Sequence, residues 1–137
     1  MRYRWSRLCA LGAVLVAALA LAACGGSSKP AYCSSVTNLE NSVKSLTNVS
    51  VLKNGTSSLT AALQKIESNA KTVVSSAKSD FPSETSAVSS SINALSSSVK
   101  QVSGTPSAAQ IVTIGQQATA AATAVKSFSN ATSSKCG

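Results

Sequence analysis

Four stretches of this chain place apolar residues three or four positions apart, with serine, threonine, asparagine or lysine between them. The first stripe is Val36, Leu39, Val43, Leu46, and the second is Leu59, Leu63, Ile66, Ala70, Val73, Ala77. The third is Val88, Ile92, Leu95, Val99, Val102, and the fourth is Ile111, Ile114, Ala118, Ala121, Val125, Phe128. That spacing gathers each set on one side of an α-helix, whereas strand alternation fits none of them. Mixed threes and fours also suit helices that cross at a shallow angle. The pattern therefore predicts an all-α fold, an antiparallel up-down four-helix bundle.

The breaks fall where such a bundle needs turns. Asn54-Gly55 precedes Thr56, which reads as the N-cap of the second helix. Phe81-Pro82-Ser83 divides the second helix from the third, because proline disfavours helix at the residue before it. Ser103-Gly104-Thr105-Pro106 divides the third from the fourth, with glycine after one end and proline at the start of the next. Residues 48–53 do not continue the first stripe, and we read them as an extended loop tucked against the bundle.

Ahead of the stripes lies a segment of another kind. Met1 to Arg7 carries three arginines and no acid, and Leu8 to Ala23 is apolar or small throughout. That run is 16 residues, short against the about 20 a membrane-spanning helix needs. A basic start, an apolar middle and a small-residue exit describe an export signal, with an uncleaved anchor as the alternative. Leu21-Ala22-Ala23-Cys24 resembles the lipobox of bacterial lipoproteins, and Gly25-Gly26-Ser27-Ser28 follows as a tether. The resemblance implies a diacylglyceryl group on Cys24 and cleavage before it. It divides the chain into a signal at 1–23, a tether at 24–30 and a helical domain at 31–137. Two or more acyl chains supply an anchoring that one chain does not. The expected location is the outer face of the bacterial cytoplasmic membrane, lipid-anchored.

Cysteine usage then connects location to topology. Cys9 leaves with the signal and Cys24 is acylated, which leaves Cys33 and Cys136. An even number of antiparallel helices returns the chain to its starting end and brings these two thiols together. Outside the cytoplasm a disulfide between them persists; the alternative is two free thiols.

Composition narrows the chemistry. The whole chain carries a formal charge of +8, but three arginines leave with the signal. The remainder holds nine lysines against four acids, a net +5, and the lysines are dispersed. No basic run is interleaved with aromatics, so no nucleic-acid partner is expected. There is no histidine, hence no Ser-His-Asp or Cys-His arrangement and no histidine metal site. The acids are Glu40, Glu67, Asp80 and Glu84. Asp80 and Glu84 flank the Phe81-Pro82 turn and read as helix-end charges, Glu84 in a first turn where a negative charge is favoured. The asparagine sequons at Asn48, Asn54 and Asn130 read as coincidence in a bacterial chain rich in serine and threonine. We therefore expect no catalytic residues, no metal, and no cofactor beyond the diacylglycerol on Cys24.

The lipobox, Tyr32-Cys33, Asn48-Val49-Ser50-Val51, Gly55-Thr56 and the terminal Lys135-Cys136, in that order, look like small uncharacterised lipoproteins or secreted proteins of actinobacteria. That resemblance implies location and build, and carries no activity. The expectation is a non-enzymatic envelope protein, with the membrane as one partner through its lipid and an envelope protein or wall polymer as another. The alternative is a carrier holding a lipid or small apolar molecule between the helices. Small core residues such as Ala70, Ala77, Ala118 and Ala121 either leave room for such a ligand or mean close packing.

Overall fold

The computed structural model describes residues 29–48 and 51–137. The expected signal, the lipobox with Cys24 and most of the tether lie outside the described residues. Among those described, the secondary structure is entirely helical. Helix α1 spans Tyr32–Thr47, α2 Val51–Ala77, α3 Pro82–Lys100 and α4 Ala108–Cys136. Each packs on two others: α1 on α2 and α4, α2 on α3, and α3 on α4.

The stripes are the core. Every residue of the first two is buried, as are Val88, Ile92, Leu95 and Val99 of the third and Ile114, Ala121, Val125 and Phe128 of the fourth. Val102 lies past the end of α3 and is half-buried against the core. Ile111 departs from its expected place, with 37% of its surface exposed.

A chain this rich in serine and threonine stays helical because the hydroxyls turn inward on their own backbone. Ser42 donates to the Asn38 carbonyl at 2.8 Å, Thr85 to Phe81 at 2.7 Å and Ser76 to Thr72 at 2.7 Å. Each bond satisfies a group that would otherwise compete with the helix or seek water. Ser42, Thr85 and Thr132 are buried on this basis, Ser96 is buried with its hydroxyl donating to Glu67, and no buried side-chain nitrogen or oxygen among the described residues lacks a partner.

The turns differ from expectation in two places. Residues 51–53 are helical, not an extended loop: α2 begins at Val51, and the interruption falls at Gly55, with φ 70° and ψ −176°. Side chains rarely permit that backbone, so glycine sets the site of the break. The fourth helix does not start at Pro106. Ser107 caps it, accepting from the Gln110 amide at 3.2 Å while Gln110 Oε1 accepts from the Ser107 amide at 2.9 Å. This reciprocal box satisfies two amides that a helix start leaves open. The turn at Pro82 is as expected, with proline in the first turn of α3 and Glu84 beside it.

One end of the bundle is closed covalently. Cys33 and Cys136 form a disulfide, with Cα atoms 5.5 Å apart. All three aromatic side chains of the described residues gather nearby. Phe81 meets Tyr32 and Phe128 edge to face, each at 5.9 Å between centroids. Edge-to-face contact of this kind adds about 0.5–1.5 kcal/mol beyond burial.

The bridge closes a loop across a sequence separation of 103, which in the chain-entropy view stabilises by about 4–5 kcal/mol. Cys33→Ser is expected to lower the unfolding free energy by about 3–5 kcal/mol in urea titration; an unchanged midpoint would contradict this account.

Candidate functional site

The disulfide fixes how α1 and α4 lie along each other. As residue numbers rise on α1 they fall on α4: Cys33 meets Cys136, Glu40 to Lys44 share a hollow with Ala122 to Lys126, and Leu46 and Thr47 share one with Gly115 to Ala122. The two helices differ in length, 16 residues against 29, or about 24 Å against about 44 Å. Stepping back from Cys136 as far as Thr47 lies from Cys33 arrives at Ala122. The first half of α4 therefore runs on past the end of α1, and its stripe continues without that partner.

This overhang makes an apolar hollow of about 400 Å³. Leu46 and Thr47 form one wall, Leu59 of α2 and Pro106 of the preceding loop close its end, and α4 supplies Ile111, Ile114, Gly115, Ala118, Thr119 and Ala122. Its size lies in the range of ligand-binding pockets, about 300–1,000 Å³. Ile111 stands at the lip, and Val112 beside it is 60% exposed. No other large hydrophobic residue among those whose burial is described, residues 29–48 and 55–137, is exposed. Gly115 adds to the open space: a Cβ there would meet nothing within 4 Å.

A second hollow, of about 360 Å³, adjoins it along the same seam. Ala122 lines both; the others around the second are Glu40, Val43, Lys44, Val125 and Lys126. Lys44 lies one helical turn before Thr47, and Lys126 one turn after Ala122. Both side chains are exposed, and neither ammonium has a carboxylate within 4 Å among the described residues.

Two further hollows follow the α2–α3 seam, about 420 and 570 Å³, and share Val74, Lys78 and Ser89. Their walls mix serine and lysine with Ala70, Val74, Ile92, Pro82, Asn93 and Glu67, and some of the hydroxyls on or beside them bond within the protein. Ser75 donates to Thr72 at 3.0 Å, Thr85 to Phe81, and Ser96 nearby to Glu67, which Lys100 also approaches at 3.7 Å.

The acids hold no converging pair. Glu67 sits with Ser96 and Lys100, Glu40 on the α1–α4 seam, and Glu84 in the first turn of α3. Asp80 belongs to the disulfide end, where it accepts from the Tyr32 hydroxyl at 3.2 Å and faces Lys135 at 3.5 Å. Lys135 also lies over the Phe81 ring, 5.7 Å from its centre. Burial of the Tyr32 ring holds its hydroxyl above the ordinary range, the bond to Asp80 and that residue's charge act in the same sense, and Lys135 opposes them. No group of three metal-ligating side chains occurs among the described residues, and none of their helices is long and apolar enough to cross a membrane.

Of the residues singled out from sequence, Cys33 and Cys136 are joined, and Cys24 lies outside the described residues. Of the four alanines, Ala77 and Ala121 are buried in the core, Ala70 is buried and borders a hollow on the α2–α3 seam, and Ala118 lines the hollow at the end of α4. Sequence reading missed Ile111, Val112, Gly115, Lys44 and Lys126 as a set. The signal that could have found them was the mismatch between a short first stripe and a long fourth one.

Comparison with known protein families, curated proteins and solved structures finds no match to this chain.

Two outcomes follow. Ile114→Ala is expected to cost about 2 kcal/mol or more in urea unfolding, while Val112→Ala shifts it by less than about 0.5 kcal/mol; equal effects would show that the overhang is covered. For Tyr32, a raised folded pKa means the native state holds its proton longer than the unfolded chain. Its contribution is complete below about pH 10, the unfolded value, and is lost as pH rises through the folded value. Alkaline unfolding of Tyr32→Phe should lack that component, and a phenol that titrates at the ordinary value in the folded protein would contradict the contact with Asp80.

Proposed function

We propose that this chain is a non-enzymatic binding protein of the bacterial cell envelope, of actinobacterial type. A diacylglyceryl group on Cys24 holds it at the outer face of the cytoplasmic membrane. Its helical domain is an antiparallel up-down bundle, and the overhanging end of α4 is its binding face.

The observation that carries the binding reading is the exposed apolar hollow around Ile111, Gly115 and Ala118. Exposed apolar surface that is concave and ligand-sized costs solubility and is kept where something docks. The four acids do not converge, with Glu67 on Ser96 and Lys100 and Asp80 on Tyr32 and Lys135, which favours binding over catalysis.

The topology is supported by pairings along three seams. Tyr32 meets Asp80 while Ser42 meets Asn69, whose amide donates to the serine hydroxyl at 2.6 Å. Glu67 meets Ser96, and the α1–α4 register descends from the disulfide. With the tether entering at Tyr32, the disulfide end faces the membrane and the hollow faces away from it. A protein or wall polymer of the envelope is one occupant for such a face. The carrier reading is the other, and concavity favours it.

The anchor is tested in the native host by labelling with radioactive palmitate and separating membranes from soluble material. The parent chain is expected to carry label and sediment with membranes. Cys24→Ser should lose the label and appear in the soluble fraction, and a variant that stays membrane-bound without label would defeat the lipid anchor.

A further inference from the structure

Two adjoining hollows on one seam differ in character, and their order along the seam is that of an amphiphile. The terminal one is lined by Leu46, Leu59, Ile111, Ile114 and Ala118, with the Thr47 and Thr119 side chains at its margin. The next one is lined by Lys44 of α1 and Lys126 of α4, on opposite sides of the seam, with Glu40 one turn before Lys44. Ala122, whose side chain is a single methyl group, stands at the junction and belongs to both.

We propose that this seam binds one long-chain fatty acid, with the acyl chain in the apolar hollow and the carboxylate between Lys44 and Lys126. The inference deepens the binding reading above and rests on it.

Three observations select this occupant. The apolar hollow is about 400 Å³ and shares Ala122 with the lysine-lined hollow, so it suits one chain continuing toward the lysines. Two lysines against one glutamate leave a single positive charge, which matches a single carboxylate. A carboxylate also has two oxygens, one for each ammonium, and needs no further donors. A bulkier headgroup would need polar partners that the described walls lack, since beyond these lysines they offer Glu40 and apolar side chains. Each ammonium is exposed and without a carboxylate partner among the described residues, so binding breaks no existing pair.

Gly115 provides a clean test. Its backbone is helical, its Cβ direction is open, and it lines the apolar hollow. Gly115→Leu therefore fills the space with a side chain and removes a helix-weakening glycine. The measurement is displacement of a fluorescent fatty acid by hexadecanoic acid from the full-length chain carrying Cys24→Ser, which separates this site from the protein's own acyl groups. Saturable binding is expected, weakened at least about tenfold by Gly115→Leu. Ala118→Leu, in the same wall, is expected to act alike and serves if the first variant unfolds early. Lys44→Gln with Lys126→Gln should weaken hexadecanoic acid by about threefold to tenfold and leave hexadecanol unchanged. The control pair Lys71→Gln with Lys78→Gln, on the α2–α3 seam, should change neither.

Equal affinity in the hollow-filling variants would overturn the proposal, since any remaining binding would then lie elsewhere. So would the absence of saturable binding. A lysophospholipid that displaces the probe more tightly than hexadecanoic acid would replace the fatty acid as occupant. Equal binding of hexadecanol and the acid would remove the lysines from the site. Failure of the anchor test leaves each of these comparisons intact, because all are made without the anchor.

Discussion

The Cys33–Cys136 bridge is the constraint on which the rest of this molecule depends, because it sets the register between the first helix and the last. Apolar side chains on facing helices are non-directional in their packing, so burial alone distinguishes weakly between registers one turn apart. A covalent link at one end removes that ambiguity. It also supplies stability of the order of 4–5 kcal/mol, a large share of the 5–15 kcal/mol typical of a folded domain. The protein has reason to depend on it: serine in a helix costs about half a kcal/mol relative to alanine, and these helices carry many serines.

Around the bridge the side chains reinforce the same register. Tyr32, Phe81 and Phe128 stack edge to face across α1, α4 and the turn between α2 and α3. Asp80 ties the Tyr32 hydroxyl and the Lys135 ammonium to that turn. Further along, Asn69 crosses to Ser42, and Glu67 to Ser96. These buried or half-buried polar contacts are directional where the apolar core is not, so they discriminate between registers that hydrophobic burial alone would leave nearly equal.

A fixed register turns a difference in helix length into a feature. With one end aligned, the surplus of α4 over α1 all appears at the other end. There the apolar stripe of α4 continues past its partner, so Ile111 and Ala118 line an open hollow instead of a sealed interior. The same register sets Lys44 across from Lys126 one turn nearer the bridge. Both halves of the proposed fatty-acid seam thus derive from one alignment.

The sequence by itself determined the helices, the core and the pairing of the cysteines. The helices and most of the core follow from local periodicity and from turn residues such as Pro82 and Gly104, whose conformational preferences act regardless of what packs nearby. The pairing follows from an even number of such helices together with the cysteines that the lipobox resemblance sets aside. It misjudged residues 51–53, where an off-stripe Val51 and Leu52 concealed a turn of helix that ends only at Gly55. The Ser107–Gln110 box was equally legible in principle but was outweighed by the neighbouring proline. What only the tertiary structure decided is which positions of a stripe find a partner. Ile111 and Ile114 carry the same side chain three residues apart on the same helix, and one is buried while the other forms the rim of a hollow. Periodicity assigns both to the core because it describes one helix at a time. Burial depends on the length and register of the helix opposite, and those are set by a bond more than a hundred residues apart in the chain.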